Sequence, residues 1–263
     1  MSNTRYENFV LENMLTEALT TQIGISNYMT IDDSLVETAG MTKKVNTYSS
    51  TGDVEDVAEG AGNTNSITMS YTTSTYDVAT TQGRFVYTDE DEMTDPFLVD
   101  NGISDLGKKL TNKLTAKAIT EFEKATLKVE YTTAIAFSDI VDAIGMLNKE
   151  NDEEAGLFML VNPDMKAALR KALGDDLKYS EGFARTGYIG SVCGVPVITS
   201  KAVHADEAII ASKKAVSCFV KKNASISSER NENTRTNTIY GRMVNVVALT
   251  DAKEVVLIKK KVG

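Results

Sequence analysis

The chain has no tryptophan, a single histidine at His204 and only two cysteines, Cys193 and Cys218. Each scarcity excludes something. Two cysteines cannot build a disulfide framework or a cysteine-rich metal cluster, and they read as reduced thiols of a cytosolic protein. One histidine has no second to share a metal with, and no Ser-His-Asp set assembles around it. His204 therefore reads as a surface or packing residue, and Cys193 as a small core residue. The side chains most used for acid–base and nucleophilic work are nearly absent, which argues against an enzyme before any motif is considered. No apolar run approaches the roughly 18–20 residues of a membrane span. Met1–Tyr6 lacks the basic segment and apolar core of a signal peptide.

What is present is an ordinary globular mix, 42% hydrophobic and 25% charged over 263 residues, enough for one large domain or two modest ones. The net charge of −9 argues against a protein that grips a nucleic-acid backbone through many phosphate contacts, though not against one that encloses nucleic acid. Local basic excess is confined to Lys213-Lys214, Lys221-Lys222 and Lys259–Lys261, which read as solvated strand ends.

Organisation changes along the chain. Residues 7–20 space Val10, Met14 and Leu15 as a short amphipathic helix. Residues 41–88 are rich in Thr, Ser, Tyr, Val and Gly, with little aliphatic material. They predict long strands in a protruding hairpin, marginal alone and suited to lie on a neighbouring subunit. A long helix follows from 96 to about 128. Val99, Ile103, Leu106, Leu110, Leu114, Ala118, Phe122 and Ala125 make one stripe, about 50 Å long, opened by an Asp95 cap and Pro96.

The next part reads as compact α/β. Ser138 is expected to cap a helix carrying Ile140 to Leu147. Leu157–Val161 is a buried strand, and Asn162-Pro163 opens a helix that Gly174 stops. Val195–Ile198, Ala208–Ala211 and a segment around Cys218–Val220 are short strands. Ser225–Arg230, Ile239–Leu249 and Glu254–Ile258 are β again, the last two joined by a hairpin turn at Asp251–Lys253.

Three motifs tempt and fail. Gly102–Lys109 fits GxxxxGK, but Lys109 replaces the Ser or Thr that would hold magnesium, and Ile103 and Leu106 lie on the helical stripe. Asp89–Asp95 lacks the glycine and terminal glutamate of a calcium loop and reads as an acidic helix leader. Asn151–Glu154 reads as a solvated turn. No metal or cofactor is expected. The glycines of Gly187–Val203, "GYIGSVCGVPVITSKAV", read as a loop turning into a short strand, with Pro196 marking its edge or start.

Gly194–Ser200 with Tyr188–Gly190 ahead of it, Val161–Asp164, Thr236–Val247 followed by Glu254–Leu257, and Glu59-Gly60, taken in this order, resemble the HK97-type major capsid proteins of tailed bacteriophages. The resemblance covers nearly the whole chain. It implies an α+β capsid fold: an N-terminal arm (1–40), an extended β-hairpin or E-loop (41–93), a peripheral domain with a spine helix (94–134), an axial domain (135–222) and return strands of the peripheral domain (223–263). It implies a structural protein, not an enzyme, that self-assembles into hexamers and pentamers of an icosahedral head in the virion, built in the bacterial cytoplasm around double-stranded DNA. Lys43, Lys44, Tyr48, Glu59, Tyr71, Tyr76 and Arg84 would be the inter-subunit contacts. Partners would be further copies, a portal and, because no long helical segment precedes the arm, a separate scaffolding protein unless a short arm suffices. The family's covalent cross-linking chemistry does not carry over, because no lysine–asparagine–glutamate set stands out. Two other readings stay open: an encapsulin-like compartment shell, and a carboxylate-dependent enzyme with a polar pocket around 175–205.

Overall fold

The computed structural model describes residues 11, 13–15, 24–149, 156–172 and 190–261. Three sheets organise them. A four-stranded sheet runs in the order β1 (Thr30–Asp32), β10 (Val216–Asn231), β11 (Thr236–Leu249), β4 (Ala79–Thr88). A six-stranded sheet runs β5 (Leu127–Tyr131), β12 (Val255–Lys260), β9 (Glu207–Ser212), β6 (Leu157–Val161), β8 (Val195–Thr199), β7 (Ser191–Val192). The third is an isolated pair, β2 (Thr42–Thr51) with β3 (Thr68–Asp77).

The acidic leader is itself a helix, α1 (Asp89–Thr94), closed by a capping box in which Thr88 Oγ1 accepts from Asp91 N and Thr88 N donates to the Asp91 carboxylate. The long helix, α2 (Leu98–Phe122), is 25 residues and starts later than the stripe suggested. Pro96 forces Asp95 into extended backbone, φ −130° and ψ 103°. The Asp95 side chain accepts from Phe97 N and so makes the bend rather than a cap on the helix.

Helix α2 joins the two large sheets. Its first half puts Val99, Ile103, Leu106 and Leu110 against Tyr87, Ile226, Ile239 and Met243 of the four-stranded sheet, with Leu11 and Leu15 closing that core. Its second half puts Ala118, Ile119 and Phe122 against Phe158, Leu160, Ile209 and Leu257 of the six-stranded sheet. The opposite face of that sheet is covered by α3 (Phe137–Leu147) and α4 (Pro163–Ala172), through Ile140, Ala143, Met165 and Leu169. Strands β6 and β9 are covered on both faces, which is why Leu157–Val161 is apolar without alternation.

Close approach of α2 to the four-stranded sheet depends on glycines. Gly83 and Gly241 lie directly opposite each other on β4 and β11. A Cβ on either would come within 2.5 or 2.7 Å of a Leu106 methyl. Gly102 faces the Phe85 ring, which would lie 2.6 Å from an added Cβ.

Several local expectations are corrected. Strand β4 pairs with β11, so the free hairpin covers Thr42–Asp77 and stops well short of residue 93. Ser138 does not cap α3; the Asp139 carboxylate does, accepting from Ala136 N at 2.7 Å. Asp251–Lys253 is not a hairpin turn, because β11 and β12 belong to different sheets. The Asp251 carboxylate accepts from Lys253 N in a 3₁₀ turn that carries the chain across. Strand β12 lies between β5 and β9 in the six-stranded sheet rather than returning beside β11. The boundary expected after residue 222 falls inside β10, at its register shifts. Cys193 is exposed rather than in the core. It makes a two-residue turn with Gly194 between β7 and β8, both at positive φ (50° and 79°), the type I′ geometry that favours glycine. Buried Cys218 has its thiol pushed up to about 11 by burial. Residues 151–154, Gly174, Gly187 and Tyr188 lie outside the described residues, as does most of the helix expected over 7–20.

Candidate subunit interface

Ten consecutive residue pairs zip β2 to β3, from Thr42 opposite Asp77 to Thr51 opposite Thr68. At about 3.4 Å per residue the arm extends roughly 34 Å. Because side chains alternate, its two faces differ. One carries Lys43, Val45 and Tyr76 at the root, then hydroxyl pairs Thr47–Thr72 and Ser49–Ser70, the latter bonded Oγ to Oγ at 2.7 Å. The other carries Lys44, Asn46, Tyr48, Tyr71 and Thr73.

The root face is used within the chain. Val45 and Tyr76 pack with Leu35, Val78, Phe219 and Val246. Lys43 Nζ sits 4.3 Å from the Phe219 ring centroid, 3.9 Å from the Asp32 carboxylate and within hydrogen-bond reach of Ser34. The Tyr76 hydroxyl donates to Leu249 O at 3.5 Å. Lys43 and Tyr76, directly opposite each other, therefore anchor the arm to its own body.

The other face is left open. Tyr48 and Tyr71 are 59% and 67% exposed although they form a cross-strand pair with ring centroids 6.2 Å apart. Met69, Ile67 and Val54 are also exposed on or beside the arm. Two opposed strands with this much uncovered apolar surface and no third layer cannot be stable for their own sake.

The tip, residues 52–67, contains Asp53, Glu55, Asp56 and Glu59 and neither lysine nor arginine. It is nonetheless shaped. The Glu55 carboxylate accepts from Thr64 N, from Asn65 N at 3.1 Å and from Thr64 Oγ1 at 3.0 Å. The Thr64 N–H first, then that of Asn65, holds its carboxyl below the usual carboxylate range. Glu59 and Gly60 make a turn closed by Ala61 N to Ala58 O, with Gly60 at φ 83°, as the third position of a type II turn requires. Gly52 at φ 104° has no room for a Cβ beside Ser66 O. Arg84 stands apart from the arm, exposed on β4, the edge strand of the four-stranded sheet.

The rejected phosphate loop is plain helix: Gly102 and Gly107 both lie inside α2, and Lys109 pairs with Asp105 at 2.7 Å.

A long helix bridging two sheets, with a bare two-stranded arm, is the arrangement expected of a shell subunit, and comparison with known proteins decides the family. A family model described as phage capsid protein matches residues 71–258. The chain belongs to that family. The capsid protein also aligns over most of its length with solved shells. It matches a virus-like particle from Pyrococcus furiosus (12% identity, TM-score 0.65, 95% of this chain and 97% of that one). It matches the mature capsid of bacteriophage PhiM1 (14%, 0.69, 99% and 89%) and the capsid of the native GTA particle (13%, 0.71, 91% and 90%). A comparison with curated proteins finds no match. The capsid protein's fold is accordingly the α+β, HK97-like one that the order of motifs resembled.

Proposed function

We propose that this chain is the major capsid protein of a tailed-phage head, assembling as hexamers and pentamers into an icosahedral shell around double-stranded DNA. The observation that carries the reading is the arm. Its tyrosine face and its acidic, valine-bearing tip are built with care and covered by nothing among the described residues. Burying them on neighbouring copies makes the arm's order conditional on assembly. In this reading residues 1–40 are the N-terminal arm, β2–β3 the E-loop, α2 the spine of the peripheral domain and the six-stranded sheet the axial domain. Lys44, Tyr48, Glu59 and Tyr71 make inter-subunit contacts, with Arg84 on the neighbouring sheet edge. Lys43 and Tyr76 set the arm's direction. A net charge of −9 suits a wall that confines DNA without gripping it. A scaffolding protein and a portal are the further partners.

The test is to purify the full, untagged chain, alone and co-expressed with its genomic neighbours, and to inspect it by electron microscopy. Rings of five or six copies and closed shells are expected. Monodisperse monomer under all of these conditions, together with a measurable catalytic turnover, would overturn the reading. Shells from host cells are expected to hold DNA; shells filled with an enzyme would mark a cellular compartment instead.

A further inference from the structure

The chain's only histidine does not stand alone. The turn from Val203 to Glu207 sets His204 beside the end of α2, where Glu123 is the C-terminal cap. His204 Nε2 lies 3.9 Å from Glu123 Oε1. A ligand atom from each of His204, Glu123 and Glu207 falls within 4.8 Å of the other two. Two further facts distinguish this trio from a chance surface cluster.

The first is an orphan. Glu207 Oε2 is shut off from solvent and has no hydrogen-bond partner among the described residues. A buried carboxylate oxygen without a donor is destabilising, and a cation would relieve it.

The second is rigidity. Val203 is 1% exposed in the core, and its carbonyl accepts from Asn162 Nδ2 at 2.6 Å. Glu207 N closes the turn on His204 O at 3.2 Å. Between them, Asp206 O accepts from the Tyr131 hydroxyl at 2.9 Å and from Lys260 N at 3.2 Å. The backbone that presents the ligands is thus held from β5, from β12 and from Asn162 just after β6. The C-terminal end of a long helix adds its own attraction for positive charge.

We propose that Glu123, His204 and Glu207 form a binding site for a divalent ion of the zinc class, which in the assembled protein ties the end of α2 to the turn before β9. One imidazole and two carboxylates, with water completing a tetrahedron, make a borderline donor set that disfavours magnesium and calcium, which take oxygen ligands. Metal–ligand bonds of about 2.0–2.2 Å bring donors to roughly 3.4 Å from one another. Donors that now lie up to 4.8 Å apart would have to close by at most about 1.4 Å, and His204, whose side chain is 73% exposed, is free to swing in.

Because His204 is the only imidazole in the chain, the test is clean. The full, untagged chain is stripped with a chelator and titrated calorimetrically with Zn²⁺, and with Co²⁺ to read the ligand field in the visible spectrum. One Zn²⁺ per chain is expected, with affinity falling at least tenfold in His204→Ala and in Glu207→Gln. Mg²⁺ should bind wild type and H204A alike and weakly. An H204A chain that binds Zn²⁺ as tightly as wild type would mean that zinc sits on scattered carboxylates, and the proposal fails. It fails equally if wild type takes up no Zn²⁺ at micromolar concentrations. H204A alters an exposed side chain, so its circular dichroism and melting curve in chelator should match wild type, separating lost binding from lost folding.

Discussion

Arg230 grips both oxygens of Asp89, Nη1 to Oδ1 at 3.0 Å and Nη2 to Oδ2 at 2.8 Å. Asn237, directly opposite Arg230 on β11, donates to the same carboxylate at 2.8 Å. The pair fastens the outer end of the β10–β11 ribbon to the start of α1. Arg230, ahead of Asn237, holds the Asp89 carboxyl below its ordinary value of 3.8. A carboxyl lowered in the fold adds stability above its unfolded-state value, and that stability disappears as pH falls through the folded one. Stability should therefore decline on acidification below about pH 4. Asp89→Asn should be weaker than wild type at neutral pH and show a shallower acid decline, read from urea midpoints across that range.

Leu106 over the Gly83–Gly241 pair makes a second prediction. Gly241→Ala forces the Leu106 side chain off its rotamer and should cost about 1–3 kcal/mol, read as a lower melting temperature. Leu106→Ala makes room for the new methyl. The double variant should therefore lose less than the sum of the two single changes, as coupled neighbours do.

A third concerns the ion pair between Lys149 and Glu254, whose side chains are each only 11% exposed. Glu254 also accepts from Ser212 Oγ at 2.6 Å. Burial is the largest influence on this carboxyl and pushes it up, yet the bonds from Lys149 and Ser212 and the charges of Lys149 and Lys214 win, leaving it below its usual value. Lys149→Ala strands the carboxylate and should cost about 3 kcal/mol. Lys149→Met combined with Glu254→Leu should recover much of that loss in chemical denaturation.

The fourth separates assembly from folding. Tyr48→Ser and Tyr71→Ser alter exposed positions, so the unassembled chain should melt within about 0.5 kcal/mol of wild type. Closed shells should nevertheless be lost or greatly reduced in electron micrographs. Tyr76→Ser, at the packed root, should instead destabilise the chain itself.

Features with a local period were legible in the sequence. The α2 stripe from Val99 to Phe122 announces a helix, and the Thr- and Tyr-rich run before it announces strands with nothing to bury. Periodicity says which way a side chain faces, not which strand lies alongside. Hence β4 looked like part of the arm, and β12 like the partner of β11. The α2 start was misplaced because Asp95-Pro96 is equally a cap and a break. Arg230 with Asp89, and the His204–Glu207 turn with Glu123, join residues far apart in the chain and leave no trace in local spacing. The arm root holds Lys43 and Tyr76 inward over Phe219, a residue far away in the chain.

Strand β12 has a consequence for timing. Among the described residues it is the only link between β5 and β9 in the six-stranded sheet, so that sheet stays in two pieces until residue 260 has emerged from the ribosome. The arm, by contrast, ends at Asp77, far ahead of β12 in the chain. A chain whose β12 has not yet emerged can thus expose its tyrosine face while its six-stranded sheet is still incomplete. If the arm docks on neighbouring copies as proposed, late closure of this sheet would delay docking until β12 is in place, and so guard nascent chains on one messenger against joining prematurely.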